Sequence, residues 1–237
     1  MLEISLLIAT RNAHKIGEIR AILGGQFQLL TLNDFPGAPK VTEDAPTFAG
    51  NAVKKAVELA RWLSSARLPT LDPRPLFVLA DDSGLEVDAL NGAPGVHSAR
   101  FAVLDRSANG GNSSDADNNA KLLRLLKDIP LEKRTARFHC VLALTPVPAE
   151  KVEVTSPICY ADEFESQTFD GTCEGRIIFA PRGKNGFGYD PLFVPDGFEQ
   201  TFAELGEETK NQSSHRSKAL MKLKQWLNAF AAGKCEL

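Results

Sequence analysis

The stretch Leu6–Leu23, LLIATRNAHKIGEIRAIL, decides how the fold is read. Leu6 to Ile8 are apolar, Thr10 and Asn12 break the run, and Ile16, Ile19 and Leu23 then recur at helical spacing. That order predicts a strand, a short loop and a helix, with Asn12 or Thr10 as N-cap. The charge is out of place. A helix start is partly positive and favours Asp or Glu in its first turn, yet here the residues are Arg11, His14 and Lys15. Either an anion such as phosphate sits on the backbone N–H groups with Lys15 beside it, or Lys15 is solvated and tolerates a dipole penalty of about 0.3–1 kcal/mol.

The alternation continues along the chain. TFAGNAVKKAVELARWL (Thr47–Leu63) places Phe48, Ala52, Ala56, Leu59 and Leu63 on one helical face. PLFVLA (Pro75–Ala80) reads as a short buried strand, and SDADNNAKLLRLLKDI (Ser114–Ile129) as a capped helix. ARFHCVLALT (Ala136–Thr145) alternates Phe138, Cys140, Leu142 and Leu144, as a strand does, and VEVTSPICYA (Val152–Ala161) is expected beside it as a hairpin. A last helix, from about Ser214, buries Leu220, Leu223, Leu227 and Phe230. The segments Ser64–Pro75 and Asp105–Asp115 are rich in turn formers and read as surface loops. The expected class is α/β with a mixed central sheet and flanking helices.

Composition bounds the rest. The 237 residues are 43% hydrophobic and 24% charged, ordinary for a globular chain with a sizeable core. Length suggests one domain or two closely joined lobes, and the expectation is a single two-lobed domain over residues 1–237. No apolar run approaches the roughly 20 residues of a membrane span, and MLEISLLIAT reads as a first strand rather than a signal peptide. Cys140, Cys159, Cys173 and Cys235 are scattered without CxxC spacing, which points to buried thiols in a reducing cytoplasm. A formal net charge of −3 argues against a grip on long nucleic acid but leaves room for one small polyanion.

Four further segments bear on chemistry. In VLADDSGLEVDALNGAPGVHSAR (Val78–Arg100) an apolar strand runs into Asp81 and Asp82, then Ser83 and Gly84. Ligands in open α/β sheets gather at the carboxyl ends of strands, and paired carboxylates there suit Mg²⁺. The alternative is that DDSG is simply a turn; Arg100 returns toward the same region after the NGAPG turn. Glu43 and Asp44 precede a helix, so Glu43 is either a dipole-complementing acid or a second metal carboxylate. KNGFGYDPLF (Lys184–Phe193) is either a glycine turn with Phe187 in the core, or a loop whose aromatic stacks a base for about 1–3 kcal/mol. NQSSHRSKALMKLKQWL starts a helix at Ser213 or Ser214 with His215 and Arg216 in its first turn and Lys210 just before, a second cationic helix start. There is no GxxxxGK[ST] loop and no GxGxxG after the first strand.

Five segments in order, ATRNAHKIGEI, TFAGNA, ADDSGLEVDALNGAPGVHSARF, GFGYDPLF and SHRSKAL, resemble the inosine triphosphate pyrophosphatase family, the dITP/XTP pyrophosphatases. They span nearly the whole chain, and the ADDSGL block is the most specific. The resemblance implies an elongated fold of two lobes with the active site in the cleft between them. It also implies a homodimer and Mg²⁺-dependent cleavage of non-standard purine triphosphates (ITP, dITP, XTP) to monophosphate and pyrophosphate. By the same resemblance Thr10, Arg11, Asn12, Ala13, His14 and Lys15 form the triphosphate loop. Asp82 binds metal and accepts the proton of the attacking water, Ser83 contacts substrate, and Glu43 is the second metal ligand. Phe187, Gly188, Tyr189 and Asp190 form the base and sugar pocket, with Lys210, His215 and Arg216 as further contacts. Two positions depart from the family pattern: Arg11 replaces a small glycine, and Gly50 replaces an acid before Asn51. Both cationic helix starts are then expected to face one nucleotide, phosphates at Lys15 and base at His215 and Arg216. A non-catalytic nucleotide-binding module is the rival expectation.

Overall fold

Ser5–Ile8 form strand β1 and Ala13–Leu23 helix α1, joined by the loop that contains Thr10 and Asn12. Asn12 is the N-cap: its side-chain oxygen accepts from the His14 and Lys15 N–H groups at 2.9 and 3.3 Å. The computed structural model describes residues 3–66, 74–104, 111–148 and 164–235. Along these the chain adds β2 (Gln28–Thr31), α2 (Phe48–Ser65), β3 (Leu76–Val87), α3 (Asp115–Leu125), β4 (Thr135–Pro146) and β5 (Gln167–Ile177). It ends with β6 (Phe193–Pro195), α4 (Phe202–Ser213) and α5 (His215–Ala231). The expected starts at Ser114 and Ser214 are in place, where Ser114 accepts the Asp117 N–H and Ser214 the Ser217 N–H, and Thr47 caps α2 by accepting the Gly50 N–H.

The six strands form one mixed sheet in the order β2-β1-β3-β4-β5-β6. β1 pairs in parallel with β2 and with β3, while β5 and β6 are antiparallel. With its flanking helices this is the expected α/β class. Two local expectations are corrected, and a third falls outside the described residues. The strand read as Pro75–Ala80 continues to Val87, so Asp81, Asp82 and Ser83 lie inside β3 and DDSG is not a turn. β1, by contrast, stops at Ile8, opposite Leu79. The carboxylates therefore sit where β3 has outrun the carboxyl end of its parallel neighbour, which is where open α/β sheets admit ligands. The proposed hairpin partner at 152–161 lies outside the described residues, and β5 is the strand next to β4. The loop read as Ser64–Pro75 includes the end of α2, and residues 67–73 and 105–110 lie outside the described residues.

The chain divides into two compact units. The first, Met1–Asp82 with Val141–Asp170 and Ala219–Leu237, buries Leu6, Leu7 and Ile8 of β1 against Phe77, Val78 and Leu79. The α2 face read from periodicity, Phe48, Ala52, Ala56, Leu59 and Leu63, is buried throughout. Leu220, Leu223 and Leu227 of α5 are also buried, and Phe230 is half-buried, edge-on to Phe77 at 5.4 Å. The second unit, Ser83–Cys140 with Gly171–Lys218, is centred on Phe138, Phe193 and Phe202, with ring centroids 4.7 Å apart for the first two. β4 alternates in and out only as far as Cys140; from Val141 to Thr145 every residue is buried, because that part of the strand is covered on both faces. Among the described residues no helix is long and apolar enough to cross a membrane.

Candidate active site

The first cluster lies in the first unit and is built on β3, α1 and α2. Lys15, in the first turn of α1, forms an ion pair with Asp81, whose side chain is only 1% exposed. The charge missing from the start of α1 is thus supplied by the protein's own carboxylate as well as by the Asn12 cap. Lys55 is the centre of the cluster. Its ammonium donates to Glu43 Oε1 at 2.9 Å and to the Asp81 carbonyl at 2.7 Å, and stands 3.5 Å from Asp82 Oδ1. Asn51, one helical turn before it, donates to Asp82 Oδ2 at 3.1 Å and accepts the Ala45 N–H at 2.9 Å. One buried amide therefore ties Asp82 to the segment that carries Glu43.

The electrostatics follow from burial and neighbours. Burial is the largest influence on the Asp82 carboxyl and raises it above its usual range, against the opposing pull of Lys55 and Lys15. For Lys55 burial works against the charge, but Asp82 and Glu43 outweigh it and the ammonium is held more firmly than usual. A carboxylate with raised basicity beside a fixed cation is suited to accept a proton.

The second cluster lies in the second unit. Lys210, in the last turn of α4, pairs with Asp190 at 2.6 Å, and both side chains are almost fully buried. Asp190 Oδ2 also accepts the Phe187 N–H at 2.8 Å. The half-exposed Phe187 ring has Lys210 Nζ 4.4 Å and the Arg216 guanidinium 5.9 Å from its centroid. Arg216 donates to Ser83 Oγ at 2.8 Å; Ser83 is the residue that follows Asp82 in β3. The loop is closely fitted. Gly186 has φ +76°, and a Cβ there would run into the Asp190 carboxylate.

Not every expected residue points to a ligand. Tyr189 is part of the core, and its hydroxyl donates to the Ser98 carbonyl at 2.9 Å, so its side chain serves packing. Burial first, then the Asp115 charge, keeps that phenol protonated. His215 is buried and stacked on Phe138 with centroids 4.8 Å apart. Arg11 turns back to the Ala38 carbonyl at 3.3 Å, Thr10 accepts the Asn12 N–H at 3.2 Å, Ala13 opens α1, and His14 is exposed. Gly50 packs so closely that a Cβ would meet Ala45 Cβ at 2.8 Å, so the acid-to-glycine change comes with a collapsed contact. Lys55 and Asn51 were missed in the sequence. Their signal is spacing: position 55 is seven beyond Phe48 and four before Leu59, so a lysine interrupts the apolar stripe of α2.

Among the described residues no three His, Cys, Asp or Glu side chains gather into a metal cage. Glu43 and Asp82 nevertheless converge on one point, the Lys55 ammonium. Two carboxylates completed by phosphate oxygens are the usual Mg²⁺ environment, so this donor set fits a cation that arrives with a nucleotide.

Comparison with known proteins agrees with the resemblance drawn from the five segments. The Ham1 family profile matches residues 6–226. A dITP/XTP pyrophosphatase of Geobacillus kaustophilus is 45% identical over 97% of this chain and 97% of its own length. One from Geobacter sulfurreducens is 46% identical over 94% and 96%. The solved structure of a HAM1 protein from Coxiella burnetii is 34% identical with a TM-score of 0.73, covering 96% of this chain and 99% of that one.

Proposed function

Since this chain belongs to the Ham1 family and is a hydrolase of the nucleoside triphosphate pyrophosphatase kind, we propose that it cleaves ITP, dITP and XTP to the monophosphate and pyrophosphate. The observation that carries this reading is the convergence of Asp82 and Glu43 on the buried Lys55 ammonium, beside the Lys15–Asp81 pair. It gathers three carboxylates and two ammonium groups in one place, the oxygen ligands and positive charge that a metal–phosphate group needs.

Phosphoryl transfer needs charge neutralisation and alignment more than a covalent partner. Lys15 binds phosphate oxygens, and Glu43 and Asp82 would hold Mg²⁺, which neutralises further phosphate charge when bound. Asp82, its basicity raised by burial, orients a water for attack at the α-phosphorus and takes its proton; pyrophosphate leaves. Asn51 and Lys55 keep the carboxylate in place.

Phe187 stacks the purine, worth about 1–3 kcal/mol, while Lys210 and Asp190 fix the loop beneath it. Arg216 donates to the 6-oxo group of inosine or xanthine. Adenine offers a 6-amino donor instead, which sets donor against donor at the guanidinium at a cost of about 1–3 kcal/mol.

The test is product analysis over ITP, dITP, XTP, GTP and ATP, with Mg²⁺ and with EDTA. Pyrophosphate from the first three, abolished by EDTA, supports the reading. Orthophosphate with diphosphate rejects the scissile bond, and binding without turnover supports the non-catalytic module.

A further inference from the structure

The loop Phe187–Asp190 is held from outside itself by one helix. Both backbone groups of Gly188 are bound by side chains of α3: its N–H donates to Asp115 Oδ2 at 2.6 Å, and its carbonyl accepts from Asn119 Nδ2 at 3.0 Å. The two residues are one turn apart, so they share a face of the helix. The N–H belongs to the peptide that links Phe187 to Gly188, and the carbonyl to the peptide that links Gly188 to Tyr189. Fixing both peptide planes fixes φ and ψ at Gly188, here in the left-handed region with φ +62°. Glycine adopts this conformation without strain but gives up the most backbone freedom when held in it, so the two bonds are what keep it there.

Asn119 supplies a second indication. It is 8% exposed, and its Oδ1 is buried with no hydrogen-bond partner among the described residues. The side-chain amide is thus oriented by the Gly188 carbonyl, and one acceptor goes unmet in keeping that bond, an arrangement that asks for an explanation beyond packing.

We propose that Asp115 and Asn119 are positioning residues for substrate recognition: by locking Gly188 they set the Phe187 ring in the attitude that stacks the purine. This rests on the reading of Phe187 as the base platform. Asp190 anchors the same loop at the Phe187 N–H and the Tyr189 hydroxyl anchors it at Ser98, so Asp115 and Asn119 complete a set that leaves Phe187 no free backbone rotation on its carboxyl side. Preorganisation of this kind lowers the ordering cost of binding and leaves the chemical step alone.

The experiment compares the unmutated enzyme with Asp115→Ala, Asp115→Asn and Asn119→Ala. It measures kcat and KM for ITP, the ITP to GTP ratio of kcat/KM, and the hydrogen-exchange rate of the Gly188 amide. Each alanine variant should raise KM for ITP by about three- to tenfold, as loss of one hydrogen bond does. Each should leave kcat within about twofold and lower the ITP to GTP ratio; Gly188 should exchange faster in Asp115→Ala. Asp115→Asn keeps an acceptor but loses the charge that complements the start of α3, so it should restore KM and protection. Asp115 is exposed, so its variants keep the fold even if Asn119→Ala does not. Unmoved KM in Asp115→Ala despite faster Gly188 exchange overturns the inference. So does an Asp115→Asn variant as impaired as the alanine, which would assign Asp115 to the helix dipole. If the unmutated enzyme fails to turn over ITP, the proposed function falls first and takes this inference with it.

Discussion

Lys210 Nζ lies 2.6 Å from Asp190 Oδ2 with the two side chains 5% and 2% exposed, and the same oxygen accepts the Phe187 N–H. A charge pair this deep is held by mutual dependence. Removing one member leaves the other desolvated and costs about 3–5 kcal/mol, against about 0–1 kcal/mol for a surface pair. Lys210→Met should therefore lower the denaturant midpoint by an amount equivalent to about 3 kcal/mol or more and raise KM for ITP as the Phe187 loop loosens. Equilibrium unfolding in urea checks the first part; a loss below about 1 kcal/mol would show that the pair is not structural.

Asp82→Asn keeps the shape and can still accept from Asn51 but cannot take a proton. General base catalysis contributes about 10²–10⁴, so kcat on ITP should fall by that range while the melting temperature stays near that of the unmutated enzyme. Steady-state kinetics with a calorimetric melt decide it. Near-normal turnover rejects the role given to Asp82.

Lys55→Met removes the cation on which Glu43 and Asp82 converge. In the absence of metal the two carboxylates then repel across the gap, and the variant should melt below the unmutated protein. Mg²⁺ should recover more of the melting temperature in the variant than in the unmutated protein, because a divalent ion takes the place of the ammonium. Thermal melts over a Mg²⁺ titration need no substrate. If Mg²⁺ gives the variant no extra stabilisation, these carboxylates are not the metal site.

Cys173 is buried, and burial pushes its thiol up to about 11. Alkylation requires thiolate, so the folded protein at pH 8 should leave Cys173 unmodified by iodoacetamide while urea-unfolded protein is labelled, read by peptide mass spectrometry. A thiol harder to ionise in the folded state stabilises the fold below the ordinary cysteine value of 9.0 and loses that contribution as pH climbs toward about 11. Melting temperature should decline over that interval, and less so in Cys173→Ala. Rapid labelling of the folded protein at pH 8 contradicts the burial.

The sequence by itself determined the features that are local and periodic. The α2 stripe from Phe48 to Leu63, the caps at Asn12, Ser114 and Ser214, and the β1–loop–α1 order were readable because each depends on residues within a turn or two of one another. Tertiary structure decided the partners. Lys15 meets Asp81 across 66 residues of chain, Arg216 meets Ser83 across 133, and Gly188 meets Asp115 across 73; no pattern of spacing encodes such pairings. The same holds for DDSG, a turn by composition that becomes mid-strand because β4 continues the sheet beside it. It holds too for Tyr189, drawn into the core while its neighbour Phe187 stays half-exposed. Local propensity differs among such alternatives by about 1 kcal/mol or less, whereas burying a side chain or pairing a desolvated charge is worth more, so where the two disagree the fold settles the outcome.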